Sequence, residues 1–327
     1  MPHSSPYARR TRLVGTGSGA ASSGADPASP APAAPAPVPA PRAPGAPRRT
    51  PVFRVRARER AGYGGRMDTA PPAGGLPAEP ARARAFLSAF ARRKAARTAV
   101  FPGGFAALDD AYALSYGDNH LLVDGPTDPE RLPAVAEELL GHLPHRSVQV
   151  LGDEAGRACA QPLVRAGYAH SEVLVMVHTG PVPERGGARE VELPALRGPV
   201  AESWRRFLPG AGEEVVRTLV ERRAARHRGA PDVRFLASHD EWGEVVSWAD
   251  LYLDPATGTA QVEDLVTAAS HLGRGHGGVV LDTALRLADG AGCPTRFLTA
   301  FADDWPRRWY ERRGFVTVDT VHCFERS

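Results

Sequence analysis

The sequence has little lysine, little cysteine and no long apolar segment, and each absence excludes a class of protein. Lys94 is the single lysine among 40 basic residues, which indicates a coding bias that gives the many arginines no functional weight. The three cysteines lie far apart and form no CxxC pair, so we expect neither a disulfide framework nor a zinc site nor redox exchange. No apolar run reaches the roughly 18 residues of a membrane span, and the N-terminus lacks the apolar stretch of a secretory signal. We therefore predict a cytoplasmic protein without a metal ion and without a membrane partner.

Positive charge is concentrated at the N-terminus. Residues 1–66 hold eleven arginines against Asp26 and Glu59 and so carry +9, which leaves −6 for the rest of a chain whose formal net charge is +3. A folded region with a mild acidic excess is a poor ligand for nucleic acid. We therefore expect no nucleic-acid partner.

Residues 1–80 differ in composition from the rest of the chain. They are dominated by Ala, Pro, Gly, Ser and Arg, and they cannot bury enough apolar surface to offset the entropy of ordering. We predict a disordered tail here. Two interpretations stay open: a basic tether for an acidic partner or a membrane surface, or an extension without function, with the true start at Met67 and residues 1–66 not expressed.

Residues 81–185 alternate between helical and strand-like patterns. Residues 81–96 and a segment that ends at Gly167 have helical patterns, whereas TAVF, HLLVDG, SVQVL and EVLVMVH are typical of strands. The strongest helical periodicity lies within 129–143, where apolar residues recur at i, i+3, i+4, i+7, i+8 and i+11. These residues are Leu132, Val135, Ala136, Leu139, Leu140 and Leu143.

Residues 186–327 repeat a similar order. A strand (REVEL) precedes two helices within 194–228, an antiparallel meander over 233–267, a glycine-rich loop with its helix, a strand (TRFLTAF), a short helix and a last strand. A shift of 147 residues lays RAGY at 165–168 over RRGF at 312–315, SVQVL over PTRFL, and the helix at 129–143 over that at 276–290. This agreement predicts an internal duplication with domains at 81–185 and 186–327, and chance agreement of two α/β patterns is the alternative.

The stretch SHLGRGHGGVVLDTAL, residues 270–285, combines a bare backbone with a helix start. Gly273, Gly275, Gly277 and Gly278 allow positive φ and expose backbone N–H groups at the beginning of a helix. The first-turn donors of a helix are unsatisfied and its dipole favours negative charge there. The stretch therefore predicts a phosphate-binding site.

Two kinds of phosphate site use such a loop. The letters G-x-G-x-x-G at 273–278 match the dinucleotide fingerprint, but only about fifty residues follow them, and no acidic residue closes the next strand where a ribose would need it. The second kind fits the context better, because LGRGHG at 272–277 is followed by YERRGF at 310–315. These motifs and the flanking elements resemble the acetyl-coenzyme A region of the GCN5-related N-acetyltransferase (GNAT) superfamily, whose pattern is Q/R-x-x-G-x-G/A followed by Y-x-x-x-G-F. Leu272 departs from that pattern, at a position that contributes mainly a backbone N–H.

The resemblance implies a fold and a cofactor. The fold is an α/β (α+β) GNAT fold with a mixed, mostly antiparallel sheet flanked by helices, here as two tandem halves of which the first is degenerate. The co-substrate is acetyl-CoA, with its pyrophosphate on the loop and its pantetheine arm beside the preceding strand, where free backbone donors hold the thioester carbonyl. The implied coenzyme contacts are Leu265, Val266 and Thr267 on the strand, and Leu272, Gly273, Arg274, Gly275, His276, Gly277 and Gly278 in the loop.

Amine acetylation needs a proton acceptor, because an alkyl amine with a pKa near 10.4 is neutral in only about one molecule in 2,500 at pH 7. On an alternating strand Glu263 shares a face with Gln261 and Leu265, whereas Asp264 points the other way. Members of the resembled family point a glutamate of this strand into the cleft, so we favour Glu263 as general base; a structural or substrate-binding carboxylate is the alternative. His271 and His276 are rivals within the loop.

The resemblance assigns the proton donor for the leaving thiolate to Tyr310, and a core aromatic beside Trp309 and Phe315 is the alternative. At the 147-residue shift, Gly275 and Gly277 correspond to Asp128 and Glu130, and Tyr310 corresponds to Leu163. Acids repel a pyrophosphate and leucine donates no proton. We therefore expect the first half to be a non-catalytic partner that walls the acceptor cleft.

Trp248, Asp250 and Tyr252 alternate along one strand and share a face that suits an amine, although core packing explains them equally well. Our prediction is an N-acetyltransferase that moves acetyl from acetyl-CoA to a primary amine of a small molecule. A catalytically silent module that binds acyl-CoA or a partner protein is the alternative, and acetylation of protein amines is a third interpretation. The sequence leaves the acceptor and a homodimer open.

Overall fold

The structure is a computed structural model that describes residues 79–327. The tail predicted at residues 1–80 lies outside the described residues except for its last two. Those two belong to the first helix, which begins at Glu79 and not at residue 81. The interpretations offered for residues 1–66 therefore remain predictions.

The first half contains three helices and five strands in the order α1-β1-β2-β3-α2-β4-α3-β5. Short 3-10 turns at Asp110–Tyr112 and Pro129–Arg131 precede β3 and α2. The bounds are α1 Glu79–Lys94, β1 Arg97–Phe101, β2 Gly104–Leu108, β3 His120–Val123, α2 Leu132–Leu140, β4 Arg146–Leu151, α3 Asp153–Arg165 and β5 Ala169–His178.

The second half contains four helices and six strands. A 3-10 segment at Arg222–Arg228 follows α5, so the helical pattern predicted within 194–228 resolves into two α-helices and this tighter segment. The bounds are β6 Arg189–Val191, α4 Leu193–Phe207, α5 Glu213–Glu221, β7 Asp232–His239, β8 Val245–Asp254, β9 Thr259–Thr267, α6 His276–Gly290, β10 Thr295–Phe301, α7 Pro306–Glu311 and β11 Phe315–Arg326.

The eleven strands form one sheet in the order β1-β2-β3-β4-β11-β5-β10-β9-β8-β7-β6. The pairs β3/β4 and β9/β10 are parallel, and the other neighbours are antiparallel. The last strand of each half lies in the other half's part of the sheet, because β11 pairs with β4 and β5 pairs with β10. The predicted boundary near residue 186 falls between β5 and β6, but the halves are joined by this exchange of strands. The duplication itself stays a prediction.

Helices cover both faces of the sheet. One face packs against α2 and α3 in the first half, where Val148 and Phe324 are buried. The same face packs against α6 in the second half, where Val262 and Leu281 are buried. The other face packs against α1, α4 and α5, with Phe86, Tyr252 and Trp204 among the buried aromatics. A bulge at Asp264 interrupts the alternation along β9, so Glu263 and Leu265 reach opposite faces of the sheet, and the prediction that they share a face is wrong.

Most elements lie where the sequence pattern predicts them, but β2 was missed. All five of its residues, GFAAL, are buried, so the segment lacks the alternation that marks a half-buried strand. Gly104 has no room for a side chain, because a Cβ would overlap the Leu122 carbonyl on β3. Within residues 79–327, no helix combines the length and apolar character needed to cross a bilayer.

Candidate active site

The glycine-rich loop forms the entrance to α6. Gly275 is the N-cap residue with φ near 90°, a left-handed conformation that glycine adopts without steric cost, and Gly273 also has positive φ. The helix then begins at His276, and its first internal contacts are the N–H groups of Gly278 and Val279 on the Gly275 carbonyl. Within the described part of the chain, the N–H groups of Gly275, His276 and Gly277 donate to no acceptor. The loop thus presents adjacent free donors at a helix N-terminus.

This loop is one wall of a cleft that α7 and the end of β9 complete. Leu265 and Thr267 line the cleft from β9, and Trp309 and Tyr310 line it from α7. From the loop, the lining residues are His271, Leu272, Gly273, Gly275, His276, Gly277 and Gly278. Arg274 is exposed beside this lining, and the Val266 side chain packs with Trp248 on the opposite face of the sheet.

Arg313 is a component of the cleft that the sequence analysis missed. Its guanidinium lies against Gly278, where a Cβ would overlap it, and donates to the Asp282 carboxylate at 2.8 Å. It also stacks 4.9 Å from the centre of the Trp309 ring. Arg313 was missed because the abundance of arginine was attributed to a coding bias. Its guanidinium lies beside the free N–H groups and adds positive charge where a phosphate would bind.

The strands β9 and β10 diverge beside this cleft. Their parallel pairing runs from Thr259/Thr295 to Val262/Leu298 and does not extend further in the described part of the chain. Asp264 has φ of 50°, and the register between β8 and β9 shifts here, which marks a β-bulge. The edge of β9 from Glu263 onward is therefore open toward β10.

Tyr310 lies at this opening, on the side of the glycine loop. Its side chain is buried to all but 8%, and its ring packs against Trp309 and Phe315. Burial, followed by the nearby Glu263 carboxylate, raises the pKa of Tyr310 above its ordinary value. The phenol is therefore protonated at neutral pH and is able to donate a proton. The ring packs in the core and also lines the cleft, so both the proton donor and the core aromatic stay open as interpretations.

Glu263 lies at the same opening but belongs to the other face of the sheet. Gln261 donates to its Oε2 atom at 2.7 Å and Thr299 donates at 3.2 Å, while Oε1 has no hydrogen-bond partner among the described residues. Burial, followed by repulsion from Asp264, raises the pKa of Glu263 to about 7. A carboxyl group with this pKa exchanges a proton readily at neutral pH.

Asp264 is bound in a different environment. It accepts from Arg226 and lies 3.6 Å from Arg223, and both arginines also contact Asp250. This four-residue ion cluster is almost wholly buried and uses both acids to balance both arginines. Asp264 is thereby less suited than Glu263 to accept a substrate proton, and the buried arginines correct the expectation that arginine has no specific role here.

The three residues expected at the acceptor site share a face, but their surroundings differ. Trp248 packs among core residues of α4 and α5 and is 1% exposed, so it has no open surface for a substrate. Asp250 is fully buried in the ion cluster, which removes it as an open carboxylate for an amine. Tyr252 donates its hydroxyl to Asp250 at 3.1 Å and lines a second cavity.

The second cavity lies on the α1 face of the sheet, directly behind the divergence of β9 and β10. Glu263 and Thr299 line it at the divergence, and both halves of the chain contribute the rest of its wall. The first half contributes Leu87, Phe90, Ala91, Lys94, Gly117, Asp118, His120, Leu122, Gln149, Leu151 and Val173, and the second contributes Arg222, Arg226, Tyr252, Gln261, Val321 and Cys323. The cleft and this cavity therefore approach the same gap from opposite faces.

The equivalent helix start in the first half lacks a free donor set. Asp128 caps the 3-10 turn before α2 by accepting from the Glu130 N–H at 3.1 Å, and Pro129 has no N–H. Glu130 in turn pairs with Arg165. Leu163, at the position equivalent to Tyr310, is fully buried in the core. These contacts leave an anion without the donors that the loop at 273–278 provides.

The loop histidines face the β7–β8 hairpin. His276 Nδ1 lies 2.9 Å from Ser238 Oγ, and His271 Nε2 lies 3.7 Å from an Asp240 carboxylate oxygen. Burial, followed by His271 and Arg274, lowers the pKa of His276. Both rings line the cleft near the loop, away from the gap at Glu263.

One side-chain cluster in the described residues has the composition of a metal site. His170, Glu172 and His322 place ligand atoms within 4.8 Å of one another at the β5/β11 pair. His170 Nε2 and His322 Nδ1 lie 2.9 Å apart in a direct hydrogen bond, and His322 Nε2 contacts Asp153 at 3.1 Å. The cluster is not part of either cavity, and the expectation of a metal-free protein remains a prediction.

Comparison with known proteins agrees with this geometry. Residues 200–315 match the Acetyltransferase (GNAT) family. Residues 200–315 therefore form a domain of the GNAT family. The matched range contains Glu263, the glycine loop and Tyr310, so the GNAT domain includes the cleft and one wall of the cavity.

Solved GNAT-like structures share the fold. A GCN5-related N-acetyltransferase from Kribbella flavida is 22% identical, with a TM-score of 0.50 over 75% of this chain and 94% of that chain. A functionally unknown conserved protein from Staphylococcus epidermidis ATCC 12228 is 12% identical, with a TM-score of 0.52 over 70% of this chain and 92% of that chain. No curated protein matches the sequence. GNAT membership supports acyl transfer in general, and the likeness to these structures concerns the fold.

Proposed function

We propose that the protein transfers acetyl from acetyl-CoA to a primary amine of a small molecule. The observation that carries this proposal is the arrangement of two cavities that approach the divergence of β9 and β10 from opposite faces of the sheet. A donor in one cavity and an acceptor in the other would meet at that gap. Direct attack of the amine on the thioester then needs no covalent enzyme intermediate.

The cleft on the α6 face suits the coenzyme. The free N–H groups at 275–277, the start of α6 and the Arg313 guanidinium together favour a pyrophosphate. Leu265 and Thr267 lead from the loop toward the gap along the open edge of β9, where an extended pantetheine arm would pair with the backbone. A backbone donor held at the thioester carbonyl contributes about 3 kcal/mol to transition-state stabilisation.

The gap supplies acid and base from opposite sides. Glu263, with one unpartnered carboxyl oxygen, accepts a proton from the attacking amine, directly or through a water molecule. The protonated phenol of Tyr310 donates its proton to the departing thiolate of coenzyme A. The cavity behind Glu263 is narrow and enclosed by both halves, which favours a small acceptor over a protein segment.

The test is release of free thiol from acetyl-CoA in the presence of a panel of amines, with acceptors identified by mass-shift screening of metabolite extracts. We expect Tyr310→Phe to lower kcat by roughly 100-fold or more, since general acid catalysis contributes about 10²–10⁴, while coenzyme A affinity stays within a factor of about three. Tyr168→Phe is the matched control, because Tyr168 is a buried tyrosine of the first half whose hydroxyl has no partner among the described residues.

The other interpretations give different results. A silent coenzyme-binding module would bind acetyl-CoA and release no thiol with any amine. An enzyme for protein amines would acetylate peptides in preference to metabolites. Unchanged turnover in Tyr310→Phe would contradict the role assigned to the phenol.

A further inference from the structure

The cavity on the α1 face has an excess positive charge at the end formed by the first half. Lys94 Nζ lies 2.7 Å from one carboxylate oxygen of Asp118, and Arg222 Nη1 lies 3.2 Å from the other. Burial acts to raise the pKa of Asp118, but Lys94 and Arg222 outweigh it and hold that pKa below its ordinary range. Asp118 is thus ionised, and two cations share a single anion.

Other charges near this end do not remove the excess. Burial lowers the pKa of Lys94 against the opposing effect of Asp118, and the next charged groups that act on it, Arg222 and Arg226, are both cations. Arg226 belongs to the ion cluster in which Asp250 and Asp264 already balance the two arginines. One positive charge therefore faces the cavity without a partner.

The same end has hydrogen-bonding capacity that the protein leaves unused. Lys94 donates to the Gly117 carbonyl at 2.6 Å and to Asp118, which leaves the third donor of its ammonium group. Arg222 Nε has no hydrogen-bond partner among the described residues, and the His120 ring has at most one contact, with the Tyr116 backbone. Burial, followed by Lys94, lowers the pKa of His120 to about 3, so its ring is neutral. Buried polar atoms without partners are destabilising, which points to a polar ligand group at this position.

The opposite end and the middle of the cavity differ from this one. At the opposite end Glu263 Oε1 is the unpartnered atom, and it accepts rather than donates when ionised. Much of the remaining wall is apolar, with Gln149, Gln261 and Tyr252 as polar members, and its large apolar residues are Leu87, Phe90, Leu122, Leu151, Val173 and Val321. A ligand that complements these three parts of the cavity has an amine at one end, a carbon skeleton in the middle and an anionic hydrogen-bond acceptor at the other end.

We infer that the acceptor is a small amino carboxylate, bound with its amine at Glu263 and its carboxylate at Lys94, Arg222 and His120. The inference rests on the proposed function, since it names the substrate of the same site. A polyamine or an aminoglycoside would place a second ammonium group beside the uncompensated cation, where like charges repel. An alkyl amine would fill the apolar middle but leave the donors at the first-half end unpaired.

The experiment compares matched amines that differ only at the far end. The first series is 6-aminohexanoate, hexylamine and 1,6-diaminohexane, and the second is 4-aminobutanoate, butylamine and 1,4-diaminobutane. With acetyl-CoA as donor, we expect kcat/KM for the carboxylate member of at least one series to exceed both partners by roughly 10-fold or more, as hydrogen bonds to charged groups imply.

A variant that removes only the excess charge gives the specific test. Lys94→Met leaves Asp118 and Arg222 as a one-to-one pair, so we expect the ratio of kcat/KM between the carboxylate and the alkyl amine to fall toward unity. Lys94→Arg should keep most of the preference. Arg97→Met is the matched control for charge removal, because Arg97 and its partner Asp110 are both exposed. Thermal unfolding of each variant checks that the fold is retained.

Calorimetric titration of the six compounds into the protein saturated with coenzyme A separates this inference from the proposed function. If no amine is acetylated but an amino carboxylate binds and Lys94→Met abolishes binding, the inference stands and the proposed function fails. If alkyl amines or diamines react and bind as well as the carboxylates, the inference is overturned and the transferase remains. Absence of both binding and reaction for all six compounds also overturns it.

Discussion

In the proposed mechanism, the protonation state of Glu263 decides whether the gap can accept a proton from the amine. Its carboxyl group is buried beside Asp264, and Gln261 and Thr299 are its only hydrogen-bond donors within residues 79–327. Arg226 is close enough to lower its pKa, yet burial and Asp264 dominate and keep the pKa near 7. A base with this pKa is half ionised at neutral pH. Glu263 is only 7% exposed, so a substrate contacts its carboxyl group through the cavity.

The first prediction concerns the pH dependence of acetyl transfer. Since only ionised Glu263 accepts a proton, kcat/KM should rise with pH through an inflection near 7. In Glu263→Gln we expect that inflection to disappear and kcat/KM at pH 8 to fall by roughly 10²–10³. Stopped-flow or steady-state thiol release between pH 5.5 and 9 measures both effects. An unchanged profile in the variant would assign the proton acceptor to another group.

The second prediction concerns stability at the same residue. A folded-state pKa near 7 lies above the ordinary glutamate value, so the protonated group contributes stability that is complete below about pH 4.3 and is lost as pH rises through 7. The glutamine of Glu263→Gln stays neutral at both pH values. The stability of the variant minus that of the parent should therefore be larger at pH 8 than at pH 4.5, by on the order of 2 kcal/mol. Urea unfolding at the two pH values measures the difference. An equal difference at both pH values would contradict the raised pKa.

The helix start at α6 shows how a single element prepares an anion site. Gly275 and Gly273 adopt positive φ, and Gly278 leaves space for the Arg313 guanidinium. At α2 the corresponding donors are capped by Asp128 or absent at Pro129. The contrast arises from residue type alone, because both helices follow a parallel-paired strand at similar places in the chain.

The third prediction tests this element. Gly278→Ala places a methyl group where the Arg313 guanidinium lies, and the flexible side chain must move away. We expect the dissociation constant of coenzyme A to rise roughly tenfold, since one charge-assisted contact to phosphate contributes about 1.5–3 kcal/mol. Calorimetric titration with coenzyme A measures it.

Gly290→Ala is the matched control on the same helix. Gly290 is near the C-terminus of α6, and an added Cβ there meets no atom within 4 Å. Alanine favours the helix over glycine, so the control should unfold at an equal or higher temperature and bind coenzyme A unchanged. Equal affinity of both variants would remove Arg313 from the phosphate site.

Exchange of the last strands makes the two halves interdependent. β5 pairs with both β10 and β11, and β11 continues the first half's sheet beside β4. A chain of 186–327 alone would expose the edge of β10 and leave β11 without either antiparallel neighbour. Unpaired edges of this kind favour aggregation.

The fourth prediction follows from this exchange. Residues 186–327 expressed alone should be insoluble or unfolded, whereas co-expression with 79–185 as a separate chain should give a soluble complex that binds coenzyme A. Size-exclusion chromatography and circular dichroism measure assembly and folding. A soluble, folded 186–327 fragment with native coenzyme affinity would show that the second half is an independent domain.

Local patterns in the sequence predicted most of the elements and the glycine loop. The apolar spacing that precedes Gly141 predicted α2, and the four glycines between 273 and 278 predicted a phosphate-binding helix start, because both signals depend only on neighbours in the chain. Two features, β2 and Arg313, were not predicted, and each omission has a physical reason. β2 is buried on both faces and so shows no alternation, and Arg313 carries no pattern that distinguishes it from the other arginines.

The sequence by itself determined most of the segments that become helices and strands and the loop that exposes free backbone donors at a helix start, since backbone freedom and side-chain periodicity are properties of short segments. Only the tertiary structure decided that β5 and β11 exchange places, that Asp250 and Asp264 are held by Arg223 and Arg226, and that a cavity behind Glu263 has walls from both halves. Strand pairing and burial of charge depend on contacts between residues more than 20 positions apart, and the spacing of residues along the chain contains no measure of those contacts.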